Sequence, residues 1–387
     1  IRRDGATYDA KIRLKGDRQI HYEDINKLSL RVKLDGDNTL WGMKVFSLHK
    51  PRARNYIYEW LLLEMMKQEG VITPEYKFIN VSLNGKDLGI YALEEHLDKR
   101  LLENNQRTEG AILKFDDELI WKAAQTYGTD LGAGSGSDHQ LQIRETYTNL
   151  IEPAFSSWSN ISKYPTLVEN FKTAAKLLAG LRQRKHLAHE IMDIEQFAIY
   201  VALCDLFQGH HGLEDMNMML YFNPVTSLFE PISHDTSSGL LTDTIALNHS
   251  RINEPFLTSI ILTRLFEDIK FIERYVYYLE KFSKNEYLVN LLESVKPSLE
   301  SKQSHLLMEY NVKPIEFQIL PHMFKIQEKI RTRLETINGI FAYYAGKSVN
   351  QIHLDIGTIQ EFPVQILGLS YKDQFFETDE KKLVLMG

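Results

Sequence analysis

The sequence contains a single cysteine, Cys204, among 387 residues, and it lacks both a long apolar run and an excess of positive charge. One cysteine excludes an internal disulfide and a thiolate metal cluster, so cysteine usage says nothing about the cellular compartment. No stretch of about 18 uncharged apolar residues is present, and we therefore expect no membrane span. The net charge of −7 argues against nonspecific nucleic-acid binding, which usually needs a basic surface.

The composition that remains is typical of a globular protein, with 43% hydrophobic and 25% charged residues. Residues 8–17, 28–34 and 43–50 alternate between apolar and polar positions, which predicts three half-buried strands. Residues 54–69 change to helical spacing, predicting an amphipathic helix that stops at Gly70. Two further strands, at 78–83 and 88–93, flank Asn84 and Gly85, a strong hairpin signal.

The later part of the chain changes character twice. Helical periodicity dominates from about residue 168 to about residue 345 and is interrupted by a predicted hairpin at 216–235. The tail then returns to β-type alternation, for example at Ile352, Leu354 and Ile356. We therefore expect three units: residues 1–115 with a sheet and one helix, residues 116–345 mainly helical, and residues 346–387 as a β-type tail or the start of a further domain.

A carboxylate on an apolar helix face is the first sign of chemistry. Asp193 and Gln196 have capping-box spacing and predict the start of a helix. Asp205 falls on the apolar face of that helix, where an ionised carboxylate is costly unless it is paired, hydrogen-bonded or used. The alternative is that Asp205 only caps the helix end.

The hairpin at 216–235 supplies further polar groups. Its turn is centred on residue 226, which predicts that Asn217 and Asp235 meet at the open end, where the helix of Asp205 also arrives. Two carboxylates and an amide are hard oxygen ligands suited to magnesium bound with substrate phosphates. The order of these residues matches the protein-kinase template, although the His-Arg-Asp and Asp-Phe-Gly strings are absent. His210, His211 and His234 leave a zinc or iron hydrolase as an alternative.

Several motifs follow one another in the order seen in the spore-coat-protein-H (CotH) kinase family, which the chain resembles over roughly residues 8–340. In the first part these are LKGD at 14–17, KLSLRVKL at 27–34, the helix at 58–70 and VSLNGKDLGIYALEE at 81–95. In the second part they are DLFQGHH at 205–211, NMMLYFNP at 217–224 and EPISHD at 230–235.

The resemblance implies an α+β, two-lobed atypical protein-kinase-like fold with an antiparallel-sheet N-lobe and a mainly helical C-lobe. It implies a protein that binds ATP with Mg²⁺ and phosphorylates secreted or surface proteins, which places it outside the cell or on its surface. Asp205 matches the catalytic acid with His211 beside it, and Asp235 matches the magnesium-binding acid, with Asn217 as the second metal ligand. Ser237 stands where many members carry a second Asp. A pseudokinase or a structural surface or spore-coat-type module is the alternative.

The nucleotide-binding cation is left open among three lysines. A kinase needs a lysine on the α and β phosphates, held by a glutamate of the following helix. Lys15, Lys27 and Lys50 are candidates, with Glu59 or Glu64 as the partner, and we favour Lys27 with Glu59. Glu95 follows the last strand of the sheet, where a kinase hinge would pass the adenine.

Overall fold

The computed structural model describes residues 1–3, 5–16, 19–116, 118–126, 153–155, 164–237, 245–246, 259–311, 315–335, 340–349, 351–359, 362 and 364–384. Its strands are β1 (Arg2–Arg3), β2 (Ala6–Thr7), β3 (Ala10–Leu14), β4 (Leu30–Leu34), β5 (Val45–His49), β6 (Tyr76–Leu83), β7 (Lys86–Glu95), β8 (Ala111–Phe115), β9 (Pro153–Phe155), β10 (Met219–Asn223), β11 (Leu228–Ile232), β12 (Ile340–Ser348), β13 (Gln351–Thr358), β14 (Val364–Tyr371) and β15 (Gln374–Val384). Its α-helices are α1 (Ile57–Gln68), α2 (Lys99–Asn104), α3 (Glu118–Thr126), α4 (Pro165–Arg182), α5 (Ala188–Ile191), α6 (Ile194–Phe207), α7 (Ile260–Phe266), α8 (Ile269–Ser283), α9 (Asn285–Leu307) and α10 (Ile315–Leu334). Helices and antiparallel sheets together confirm the expected α+β class.

Five antiparallel strands form the first sheet, in the order β3, β4, β5, β7, β6. The predicted order of three strands, one helix and two strands is confirmed for this sheet. The hairpin between β6 and β7 turns at Asn84 and Gly85, whose φ angles of 53° and 79° lie in the left-handed region. That conformation is what a two-residue hairpin turn with matching twist requires.

Helix α1 is buried on nearly every side, whereas the sequence predicted an amphipathic helix. It packs against β6, α6 and α9, so the positions expected to face water meet protein instead. The helix ends as predicted at Gly70, which has a φ of 84° and lets Val71 N–H donate to Met66 O at 2.9 Å.

A second antiparallel sheet runs in the order β11, β10, β8, β9. Pairing of Asn223 with Leu228 confirms the hairpin predicted within 216–235. The expected boundary at residue 115 does not coincide with a change of sheet, because Leu113 of β8 pairs with Leu220 of β10. Strand β8 therefore belongs with the hairpin rather than with the first sheet.

Helix α6 is the central helix of the remaining part. Asp193 caps it as predicted, accepting Gln196 N–H at 3.1 Å, and all of its residues from 197 to 207 are buried. Helix α8 packs along α6, and α9 reaches back to the first sheet, where His305 Nε2 lies 3.0 Å from Asn80 Oδ1.

The helical stretch ends earlier than predicted, because α10 stops at Leu334 and residues 340–348 form β12. Their aromatic and β-branched side chains favour a strand. The β character of the tail is confirmed, since β12 pairs with β13 and β14 pairs with β15. Within the described ranges, no helix has both the length and the apolarity needed to cross a membrane.

Candidate active site

The candidate site lies where the ends of β5 and β7, the turn Pro51–Arg54, the start of α1 and the segment after β11 come together. Arg54 stands at its centre and is only 7% exposed. Burial lowers the pKa of Arg54, but the carboxylates of Asp235, Glu94 and Glu59 outweigh it and raise that pKa. The guanidinium is therefore a permanent cation among three acids.

Asp235 forms an ion pair with this cation, with 2.5 Å between Arg54 Nη1 and Asp235 Oδ1. Burial raises the pKa of Asp235, yet Arg54 and His211 lower it well below its ordinary value, so the carboxylate is charged. His211 Nε2 lies 3.9 Å from Asp235 Oδ1. The backbone of Asp235 has a φ of 52°, a strained conformation for a residue other than glycine, and its Oδ1 makes no hydrogen bond within the described residues.

Glu94 lies beside this pair and is 1% exposed. Lys15 Nζ is 2.9 Å from its Oε2, while His234 Nε2 and His49 Nδ1 approach to 3.6 and 4.0 Å. Burial raises the pKa of Glu94, but Lys15, His234 and Arg54 lower it well below its ordinary value. Glu94 is thus a buried anion within a cluster of basic groups.

Glu59 on α1 is completely buried. Its carboxyl group accepts Thr236 N–H at 3.3 Å, the Thr236 hydroxyl at 3.2 Å and Ser237 N–H at 3.0 Å. Burial raises its pKa to about 7, although Arg54 acts in the opposite direction. Glu59 therefore holds the segment that follows Asp235.

Asp205 occupies a different environment, at 0% exposure near the end of α6. Its carboxylate accepts Ala246 N–H at 2.6 Å and the Tyr275 hydroxyl at 2.5 Å, and His210 Nε2 lies 2.8 Å away. These three groups engage both carboxylate oxygens. In this structure Asp205 is therefore a buried acid whose cost of burial is offset by hydrogen bonds.

Asn217 and Asp235 both contact His211. The ladder ends at the pair Met219 and Ile232, so Asn217 and Asp235 both lie beyond it and strand pairing does not set them opposite each other. Asn217 Nδ2 donates to His211 O at 3.1 Å, and the His211 ring faces Asp235. A chain of contacts links the three residues expected to converge: His210 touches Asp205, and His211 touches both Asn217 and Asp235.

The three candidate lysines lie in three different places. Lys15 pairs with Glu94 at the site, and Lys50 lies 3.6 Å from Glu23. The structure does not form the expected contact between Lys27 and Glu59: Lys27 forms an ion pair with Glu309 and lies 5.0 Å from the Tyr310 ring. The segment before β4 faces the chain after α9, which draws Lys27 away from α1.

Glu95 faces the opposite side of β7 from Glu94. Its oxygens accept Glu75 N–H at 3.0 Å and Asn104 Nδ2–H at 2.6 Å, and burial raises its pKa to about 7. The side chain therefore ties β7 to β6 and α2 at the end of the first sheet.

Sequence reasoning missed Glu94 and Thr236. A signal for Glu94 was present, because it ends a run of apolar residues at 88–93 in a predicted strand, as Asp205 does in a helix. No signal marked Thr236, since its role depends on contacts with distant residues.

The donor set suits magnesium better than zinc. Among the described residues, no group of three or more His, Cys, Asp or Glu side chains is arranged to hold a metal ion. Magnesium needs less from the protein, because one or two carboxylates plus substrate phosphates and waters complete its shell. Asp235 Oδ1 and Glu94 Oε1 are buried oxygens that lack a hydrogen bond among the described residues, but Arg54 Nη1 lies 2.5 Å from the first, so a cation on Asp235 must share this carboxylate with Arg54 or displace it.

Comparison with known proteins identifies the class. The family described as CotH kinase protein matches residues 12–355, and the chain belongs to this family. Among characterised proteins, the chain is similar to inner spore coat protein H of Bacillus subtilis (strain 168). The two are 22% identical over 281 residues, which cover 70% of this chain and 71% of the relative.

Proposed function

We propose that this protein is an atypical, two-lobed protein kinase that transfers the γ-phosphoryl group of ATP to a protein hydroxyl with magnesium. One observation carries the proposal: Asp235 is a charged carboxylate held in a strained backbone conformation at the junction of the first sheet and the helices. Strain of this kind persists where the surroundings fix it and is concentrated at functional sites. Membership of the CotH kinase family supports the same conclusion.

In this proposal the first sheet with α1 is the N-lobe and the helices around α6 are the C-lobe. Lys15, at the end of β3, is the cation for the nucleotide phosphates, with Glu94 in place of the helix glutamate of other kinases. Lys50 is the alternative: it comes directly after β5, the third strand of the first sheet along the chain, whereas the kinase template has its lysine on the third strand itself. The backbone after Glu95 is the adenine-binding hinge.

Asp235 and Asn217 would hold the magnesium ion, which supplies neutralisation of the phosphate charge. Their link through His211 keeps the two ligand side chains in a fixed relation. Asp205 orients the acceptor hydroxyl and takes its proton. To do so it must exchange one of its present partners, Ala246 N–H, Tyr275 or His210, for the acceptor.

A thermal-shift titration with ATP and MgCl₂, followed by transfer of labelled phosphate to a protein acceptor, tests this proposal. A ligand that binds only the folded state raises the melting temperature, by an amount set by its concentration over its dissociation constant. We expect stabilisation by ATP with magnesium and less without the metal. Absence of any shift at millimolar nucleotide would overturn the kinase proposal.

One observation favours a second candidate, a catalytically weak module that binds a surface or coat partner. Both oxygens of Asp205 are engaged inside the protein, and Arg54 already neutralises Asp235. The spore-coat relative makes a coat or surface location part of either proposal. Nucleotide binding without transfer, or no nucleotide binding, would favour this candidate.

A further inference from the structure

Thr236, the residue after Asp235, is completely buried and is held on two sides. On one side its N–H and its hydroxyl both donate to Glu59, and Ser237 N–H donates to the same carboxyl group. Three donors from two consecutive residues therefore meet one side chain of α1. The start of α1 and this segment cannot shift independently without breaking these bonds.

On the other side, Thr236 packs against two glycines that flank the histidine pair. A methyl group built on Gly212 would lie 2.7 Å from Thr236 Cγ2, and one built on Gly209 would lie 3.4 Å from Thr236 Cβ. The turn carrying His210 and His211 therefore lies directly on Thr236, with no side chain between them. A displacement of Thr236 must move this turn.

The bonds to Glu59 and the packing on the two glycines act on either side of Asp235. Asp235 has a φ of 52°, and a residue other than glycine keeps such a conformation only where its neighbours fix it. The Glu59 bonds fix the chain immediately after Asp235, and the glycine contact fixes His211, whose ring faces the Asp235 carboxylate.

We propose that Thr236 is a positioning residue that couples helix α1, through Glu59, to the contact between His211 and Asp235. The coupling follows from the geometry alone, and its effect on ligand binding rests on the proposed function, in which Asp235 binds magnesium with the nucleotide. The competing interpretation is a buried threonine that contributes packing and stability only.

Hydrogen exchange on the ligand-free protein tests the coupling. Glu59→Gln changes the side chain that accepts hydrogen bonds from residues 236 and 237. We expect amide exchange to become at least about tenfold faster at residues 235–237 and also at 209–213, because the two segments open together. Acceleration at 235–237 with unchanged exchange at 209–213 would overturn the proposal.

Binding of ATP with MgCl₂, measured by calorimetry on folded variants, tests the consequence. Thr236→Val removes the hydroxyl and keeps the shape, and we expect about tenfold weaker binding, since loss of a buried hydrogen bond to Glu59 loosens the segment that carries Asp235. Thr236→Val combined with Glu59→Gln should be no weaker than Glu59→Gln alone, because the hydroxyl acts through Glu59.

Thr263→Val is the matched control. Thr263 is a partly buried threonine outside the site, and its hydroxyl donates to Ser259 O at 2.9 Å. Removing this hydroxyl should leave nucleotide binding unchanged. Wild-type affinity in Thr236→Val would overturn the positioning role. If the wild-type protein binds no nucleotide, the kinase proposal fails, while the exchange experiment still decides the coupling.

Discussion

The two acids on either side of the histidine turn, Asp205 and Asp235, differ in how their charge is compensated. Asp205 has no exposed surface and is surrounded by hydrogen-bond donors from the backbone, a tyrosine and a histidine. Asp235 has a side chain that is 20% exposed, relies on the ion pair with Arg54 and sits in a strained backbone. Hydrogen-bond donors engage both oxygens of Asp205 inside the protein, whereas the side chain of Asp235 stays partly exposed beside a single cation.

The same contrast appears between neighbours on β7. Glu94 faces Lys15, His234 and Arg54, which keep its pKa low despite burial. Glu95 faces Asn104 and a backbone N–H, and burial raises its pKa to about 7. Alternation along a strand thus directs one acid into the candidate site and the next into a structural junction.

The largest expected effect comes from breaking the Asp235 ion pair. Asp235→Ala should slow phosphoryl transfer by at least about 10³-fold, because under the proposed function the site would lose its charged metal ligand. It should also lower the free energy of unfolding by about 3 kcal/mol, since Arg54 is left buried without this partner. Denaturant unfolding and a single-turnover assay measure the two effects.

Asp235→Asn combined with Arg54→Gln is the control for that experiment. Replacing both charges removes the unpaired cation, so stability should return towards wild type while transfer stays absent. Transfer at the wild-type rate in Asp235→Ala would show that Asp235 is not the metal ligand.

Asp205→Asn tests the other acid of the pair. If Asp205 takes the acceptor proton, the rate per folded molecule should fall by about 10²- to 10⁴-fold with little change in nucleotide affinity. The variant should also melt at a lower temperature, because an amide NH₂ replaces one acceptor among three donors. A lower melting temperature with an unchanged rate would make Asp205 a structural acid only.

Lysine variants extend the comparison to the cations. Lys15→Met should weaken nucleotide binding about tenfold, because Lys15 is the lysine that contacts Glu94 at the site. Lys27→Met is the matched control: it makes the same substitution at a lysine that pairs with Glu309, and it should leave nucleotide binding unchanged. Equal effects of the two substitutions on the dissociation constant would contradict the assignment.

Much of the fold was accessible from the sequence, because local patterns determine it. Alternation placed the strands of the first sheet, Asn84 and Gly85 fixed a hairpin, and Asp193 marked a helix start. The errors arose where long-range packing decides. Helix α1 is buried by elements distant in sequence, and β8 pairs with a hairpin about 110 residues later.

The site was accessible only in part, for the same reason. Residue type and position drew attention to Asp205, Asn217 and Asp235, which lie along one line of contacts through the two histidines. Which lysine faces which glutamate depends on how the sheet meets α1 and α9. Spacing along the chain does not reveal these contacts, so the sequence could not show that Lys15 contacts Glu94 and that Lys27 contacts Glu309.

The remaining prediction concerns the dependence of stability on pH and separates Glu95 from its neighbour. The pKa of Glu95 is about 7 in the fold and lower in the unfolded chain, so the unfolded state loses the proton first as pH rises. The contribution of Glu95 to stability should therefore be fully present below the ordinary glutamate pKa and decrease by up to about 1.4 kcal/mol per pH unit until pH 7. Glu95→Gln should make the fall of stability shallower by this contribution and leave the part due to Glu59, whose pKa is also about 7, as measured by urea unfolding from pH 4.5 to 7.5. Glu103→Gln, which removes an exposed carboxylate of α2, is the control and should keep the wild-type slope. A wild-type slope in Glu95→Gln as well would mean that Glu95 is charged in the fold, as Glu94 is.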